Sequence, residues 1–189
     1  MTNRISNYAG EGKSTKSRTI LKNGLIMAVP GESKIERNSF TAFDGHLISV
    51  VNSNHVSETE SDDIIDCSGC LIMPGLVNCH NHAAMSLLRG LSDDLPLDKW
   101  LSEYIFPTEA SFVSPEFVHT GAALSMAEML LSGTTTVADA YFFMEKSAEA
   151  AIKTGIRSVV CHGVLDLPTP DCPNPNAWVD RLNAFLENF

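Results

Sequence analysis

No stretch of this chain approaches the roughly eighteen consecutive apolar residues that a membrane span requires. Basic residues are scarce. Lys and Arg total 13 against 23 Asp and Glu, a formal net charge of −10. That balance argues against non-specific attachment to nucleic acid or to an anionic membrane. Cysteine occurs five times, an odd count in a chain that is not small, so a disulfide framework is not expected and a reducing cytoplasm fits. A secretory segment is lacking as well: Met1 to Ser17 is polar, without an apolar core. Residues 1–18 are expected to form a disordered leader.

What is present is globular in character. Apolar residues make up 44% of the 189, which suits one ordinary domain, or a small domain plus part of another. From Thr19 to Cys70 the pattern is one of short strands. Ile20-Leu21 and Leu25 to Val29 flank Asn23-Gly24, a strong turn pair, and Ser39 to Phe43 and His46 to Val51 flank Asp44-Gly45. Ile64-Ile65 is a further short strand. These predict small antiparallel strands over 19–70. Glu58, Glu60, Asp62 and Asp63 read as a solvated acidic loop.

After Leu71 the periodicity changes. Leu71 to Asn78 is strand-like, and Leu97, Trp100, Leu101, Tyr104 and Ile105 have helical spacing. Ser114-Pro115 predicts a capped helix running to Ser132 and ending at Gly133. Thr134 to Ala138 predicts a strand ending at Asp139, Phe143 to Thr154 a helix stopped by Gly155, and Ile156 to Leu165 a buried strand. Pro175 to Phe189 has the spacing of an amphipathic helix. Strands alternating with helices imply parallel β/α units. A closed (β/α)8 barrel needs about 250 residues, and fewer than half of that follow Leu71. The expectation is therefore an incomplete barrel of three β/α units over 71–189, the first part of a longer protein.

The densest chemistry lies in Pro74-Gly75-Leu76-Val77-Asn78-Cys79-His80-Asn81-His82. Side chains alternate faces along a strand, so His80 and His82 point the same way. Two imidazoles at a strand end suit a divalent ion when further ligands converge on it. Taken alone, the pair reads either so or as two packed or exposed histidines. His ligation alone leaves Zn, Fe, Ni and Mn open.

The run Leu71-Ile-Met-Pro-Gly-Leu-Val-Asn-Cys-His-Asn-His-Ala-Ala-Met-Ser-Leu-Leu-Arg-Gly90 strongly resembles the amidohydrolase superfamily. The likeness is closest to its 5-methylthioadenosine/S-adenosylhomocysteine deaminase and chlorohydrolase-like branch. It continues through Asp93 to Leu97, Trp100-Leu101, Phe106 to Glu109, Ser132 to Thr136, Ala138 to Phe142, and Gly163 to Asp166 with Pro168. The resemblance implies a β-sandwich built from both chain ends, of which 19–70 is the N-terminal part, attached to a metal-bearing (β/α)8 barrel. His80 and His82 match paired metal ligands, with zinc the leading metal. Glu109 matches a carboxylate that binds the ribose hydroxyls of a nucleoside. His162 occupies a position where some relatives carry Arg, and is a candidate substrate contact or a core histidine.

The remaining metal ligands and the general acid-base of such enzymes have no matching position here. The implied reaction is hydrolytic deamination of S-adenosylhomocysteine or 5-methylthioadenosine. A metal lowers the pKa of bound water to about 7 and so supplies hydroxide at neutral pH, and a carboxylate shuttles the proton. This chain alone is expected to be inactive. A triazine or nucleobase hydrolase, and a non-catalytic remnant or subunit, are the competing readings. The implied ligand is a small nucleoside, and the unpaired parallel edges of an incomplete barrel favour aggregation or self-association with further copies of the chain.

Other residues carry weaker signals. Cys67 and Cys70 form a single Cys-x-x-Cys with no second pair and read as structural. Cys79 opposes the two histidines and reads as packing. Asp139, at a strand end, reads as an acceptor for loop backbone. Arg89 and Trp100 read as lining or bracing a pocket mouth, Met126 and Met129 as helix packing, and His46, His55 and His119 as surface residues.

Overall fold

The computed structural model describes residues 18–27, 35–36, 40–44, 47–53, 57–60 and 62–188. The expected leader to Ser17, and Gly45, His46 and His55, lie outside them. The chain divides into two units between Pro74 and Gly75.

The first unit is built from β1 (Thr19–Lys22), β2 (Leu25–Ile26), β3 (Phe40–Asp44), β4 (Leu47–Ser53), β5 (Asp63–Asp66) and β6 (Leu71–Ile72). One sheet has the order β4-β3-β1-β5, and β2 pairs with β6 in a second. The expected β3/β4 pairing forms, antiparallel, with Asp44 opposite Leu47. The expected Asn23-Gly24 hairpin does not. Asn23 takes a left-handed φ of 66°, but the turn carries the chain from one sheet to the other. β1 then bonds β3 and β5, while β2 runs parallel to β6. Contacts beyond the turn decide this. Asn23 Nδ2 donates to Asp66 at 2.9 Å, and a Cβ on Gly24 would stand 2.6 Å from Ile72 Cδ1. The all-antiparallel expectation therefore fails at β1/β5 and β2/β6, which are parallel. Ile20 and Ala42 are fully buried, with Phe40 packed against them.

The second unit holds a parallel sheet of β7 (Leu76–Asn81), β8 (Thr134–Tyr141) and β9 (Arg157–His162) in that order. A 3-10 turn at Ala83–Leu88, α1 (Leu97–Lys99), a π-helical turn at Trp100–Ile105, α2 (Phe106–Phe112) and α3 (Pro115–Leu131) connect β7 to β8. α4 (Met144–Thr154) connects β8 to β9, and a 3-10 turn at Pro175–Ala177 leads into α5 (Trp178–Asn188). The predicted punctuation forms. Ser114 Oγ accepts from the Phe117 N–H at 3.2 Å, and Gly133 and Gly155 take φ of 89° and 80° where α3 and α4 end. β9 is shorter than expected and only one of its faces is covered. Ser158, Val160 and His162 are half-buried, while Arg157, Val159 and Cys161 are exposed. No helix among the described residues is long and apolar enough to cross a membrane.

The core between α3, α4 and β8 contains Ala122, Met126, Val137, Ala150, Ala151 and Ile156, joined by Ala83 from the turn after β7. Its alanines leave room for helix backbones to approach closely. Gly121 is the tightest point. A Cβ there would lie 2.5 Å from the Ala84 carbonyl oxygen, and Ser86 Oγ donates to the Gly121 carbonyl at 2.8 Å. Alanine gains about 1 kcal/mol over glycine in an open helix interior. A backbone clash of this depth costs about 1–3 kcal/mol and wins. Gly121→Ala is expected to lower stability by up to about 2 kcal/mol net, read from urea denaturation of the purified protein; a stabilised variant would show that the approach is not limiting.

Candidate active site

β7 delivers His80 and His82 to one place. Their rings meet edge to face with centroids 5.1 Å apart. Both side chains are exposed. His80 lies in the strand and His82 just past its end, where a register shift between Asn78 and Asn81 loosens the pairing with β8. His82 Nδ1 lies 2.5 Å from the Ala140 carbonyl oxygen. A carbonyl can only accept, so Nδ1 carries a proton, and in the neutral ring Nε2 is then the nitrogen with the free lone pair. That is the tautomer a metal-binding imidazole needs. The donor set fits half of a zinc-type site. Among the described residues no group of three His, Cys, Asp or Glu side chains stands together.

Asp139 holds this strand end from beneath. Its residue is 1% exposed. Oδ1 accepts from the Ala83 N–H at 2.7 Å, immediately after His82, and Oδ2 accepts from Ser147 Oγ on α4 at 2.5 Å. Burial pushes the carboxyl above its ordinary range, and these two donors oppose that rise. Val137, Asp139 and Tyr141 share the buried side of β8. The strand runs two residues beyond Asp139 and so brings Tyr141 to the same end.

A cavity of about 410 Å³ opens beside His82. Much of its wall comes from the helical segment over 97–112: Leu97, Leu101, Ile105 and Glu109, with Trp100 and Phe106. These first four residues are spaced by four. In a regular α-helix three such steps would carry Glu109 about 120° round from Leu97. The π-helical turn is wider and keeps the row on one side.

Glu109, which spacing alone reads as an exposed helix-end acid, is 5% exposed. Tyr141 Oη donates to its Oε1 at 2.7 Å. Burial raises the Glu109 carboxyl above its ordinary value; the phenol hydrogen bond and the nearby His82 pull it back. The Tyr141 phenol is pushed far up by burial and by the Glu109 carboxylate, so it stays protonated and donates.

His162 does not join this cavity. It falls on the half-buried side of β9 and packs edge-on against Trp178 and Phe185, at centroid distances of 5.4 and 5.6 Å. Its side chain is 2% exposed, with Nε2 3.4 Å from Asp171 Oδ2. Alternation exposes Cys161 and turns His162 to the covered face of β9, and of its two readings, substrate contact or core histidine, the packing against Trp178 and Phe185 supports the core one. Trp100 does line the cavity, whereas Arg89 is exposed and pairs with Glu128 on α3 at 2.7 Å. Cys79 is exposed and Cys67 half-exposed, and His119 on α3 is half-buried. Sequence reasoning missed Tyr141. Its position at the C-terminal end of a parallel strand was the available signal.

Parallel strands with helical crossovers, and paired imidazoles beside a cavity at their ends, define an α/β protein with a candidate metal site. Residues 71–188 match the amidohydrolase family, and the chain belongs to that family. Over 158 residues it is 45% identical to the 5-methylthioadenosine/S-adenosylhomocysteine deaminase of Thermodesulfovibrio yellowstonii, covering 82% of this chain and 36% of that protein. It is 44% identical over 133 residues to a 5'-deoxyadenosine deaminase of Methanothermobacter thermautotrophicus, covering 70% of this chain and 30% of that protein. Among solved structures, an adenosine deaminase from Xanthomonas campestris with bound zinc is similar at a TM-score of 0.83 and 31% identity, over 90% of this chain and 39% of that one. The chain thus spans about a third of the length of the curated relatives it matches.

Removing the Asp139 carboxylate leaves two buried donors unpaired, each costing about 1–3 kcal/mol. Asp139→Ala is expected to lose about 2–6 kcal/mol of stability and to weaken zinc retention, measured by denaturation and metal analysis. Unchanged zinc retention in a folded variant would mean that Asp139 does not steady the His82 end.

Proposed function

We propose that the protein containing this chain is a metal-dependent hydrolase that deaminates an adenosine derivative, S-adenosylhomocysteine or 5-methylthioadenosine. The observation that carries the reading is the buried Glu109 carboxylate, held by Tyr141 in the cavity that His82 also lines. The two curated relatives described above, named for deamination of adenosine derivatives, support it. On this reading residues 19–70 are the N-terminal part of a composite β-sandwich. Residues 71–189 are the first three β/α units of a (β/α)8 barrel.

His80 and His82 hold the metal, zinc by preference. When bound, that ion supplies a Lewis acid and a water activated at neutral pH. The chain's own residues do the following. The Ala140 carbonyl fixes the His82 tautomer. Glu109 accepts hydrogen bonds from ribose hydroxyls and so orients the nucleoside. The wall from Leu97 to Phe106 lines that part of the cavity with apolar side chains. The remaining ligands and the group that moves the proton come from outside the described residues.

The test is ammonia release from both nucleosides by the zinc-loaded, full-length protein. Turnover is expected with either nucleoside. His80→Ala and His82→Ala are each expected to reduce zinc affinity more than about a hundredfold and to abolish turnover, and residues 1–189 alone are expected to show none. Retained turnover in both histidine variants would refute the assignment. So would inertness of the full-length protein toward every adenosine derivative.

A further inference from the structure

Glu109 is nearly buried, yet among the described residues Tyr141 is the only hydrogen-bond donor recorded on its carboxylate. A desolvated carboxylate with one donor is under-satisfied. It either takes a proton or finds further donors. The lining around it is mostly apolar: Leu97, Leu101, Ile105 and Phe106 offer nothing from their side chains. Further donors to Oε2 come from water, from parts of the longer protein outside the described residues, or from a ligand that enters the cavity.

Tyr141 determines which oxygen is free. Its ring is 9% exposed and wedged between Phe142, 4.8 Å away between centroids, and His82, 6.4 Å away. The phenol therefore reaches Glu109 from a fixed direction and occupies Oε1. Because the phenol keeps its proton, the bond has only one polarity, donor on Tyr141 and acceptor on Glu109. Oε2 remains as the acceptor.

We infer that Tyr141 is a positioning residue for substrate selection: by occupying Oε1 it presents Glu109 Oε2 as a charged acceptor selective for ligands bearing hydroxyl donors. This rests on the proposed nucleoside reading and deepens it. Discrimination in favour of the vicinal diol of a ribose is assigned to a tyrosine-carboxylate pair rather than to the carboxylate alone. A hydrogen bond to a charged group, when lost, changes affinity by about tenfold or more. A site built to bond a hydroxyl rejects the analogue lacking it.

The experiment compares kcat/KM for 5-methylthioadenosine with that for its 2′,3′-dideoxy analogue in the full-length, zinc-loaded protein. The parent is expected to prefer the diol strongly. Glu109→Ala is expected to abolish the preference. Tyr141→Phe is expected to reduce it about tenfold, mainly through KM for the diol substrate. A merely structural tyrosine would slow both substrates alike and leave the ratio intact. A parent-like ratio in Tyr141→Phe, with the preference lost in Glu109→Ala, would overturn the inference and leave the nucleoside reading standing. A preference that survives Glu109→Ala would overturn both.

Discussion

The candidate site hangs on one buried carboxylate. Asp139 receives the backbone N–H of Ala83 and the hydroxyl of Ser147, and so joins the residue after the second histidine to the helix that follows the next strand. Three elements meet on two oxygens, Ala83 from 56 positions away and Ser147 from eight. The interior beside them is rich in alanines, with a glycine at its tightest point, and these carry little side-chain volume with which to define a unique arrangement. Directional hydrogen bonds supply what packing by small residues lacks. The neighbouring carbonyl of Ala140 then fixes the imidazole of His82. Strand order, loop position and tautomer follow from a single segment of β8.

The cavity next to it uses the opposite arrangement. Glu109 sits among apolar side chains with one phenol for company. Desolvation favours its neutral form and the phenol favours its charged form. These opposing influences keep the group responsive to whatever else arrives. Asp139, already bonded on both oxygens, has no such freedom. Two buried acids within one unit are thus divided in role by the number of donors each already has.

Much of this was legible in the amino-acid order. The alternation of strands and helices after Leu71, the Ser114 cap, the stops at Gly133 and Gly155 and the pairing of His80 with His82 are local signals, and local physics decides them. The failures lie where distant contacts decide. Asn23-Gly24 has the chemistry of a hairpin, but Asp66 and Ile72 recruit it for a step between sheets. Glu109 looks like a surface acid until the ring of Tyr141, thirty-two positions on, closes over it. The role of His162 depends on which face of β9 the helices cover, and the strand's composition does not reveal that. The resemblance of the flanking motifs to the amidohydrolases singled out Glu109 where spacing could not, and left His162 open between a substrate contact and a core histidine.

The wide turn at Trp100–Ile105 has a consequence for how this segment tolerates insertions and deletions. A π turn is in effect an α-helix that has absorbed one residue. Deleting a single residue there would return the turn to α geometry and leave everything beyond it facing as before, because eleven α-helical steps from Leu97 come to about 20° of net rotation against about 120° for twelve. Glu109 would stay on Tyr141. A second deletion, with no wide turn left to absorb it, would swing Glu109 by about 100°, so this segment can lose one codon, and not two, without exchanging the chemistry of the pocket wall.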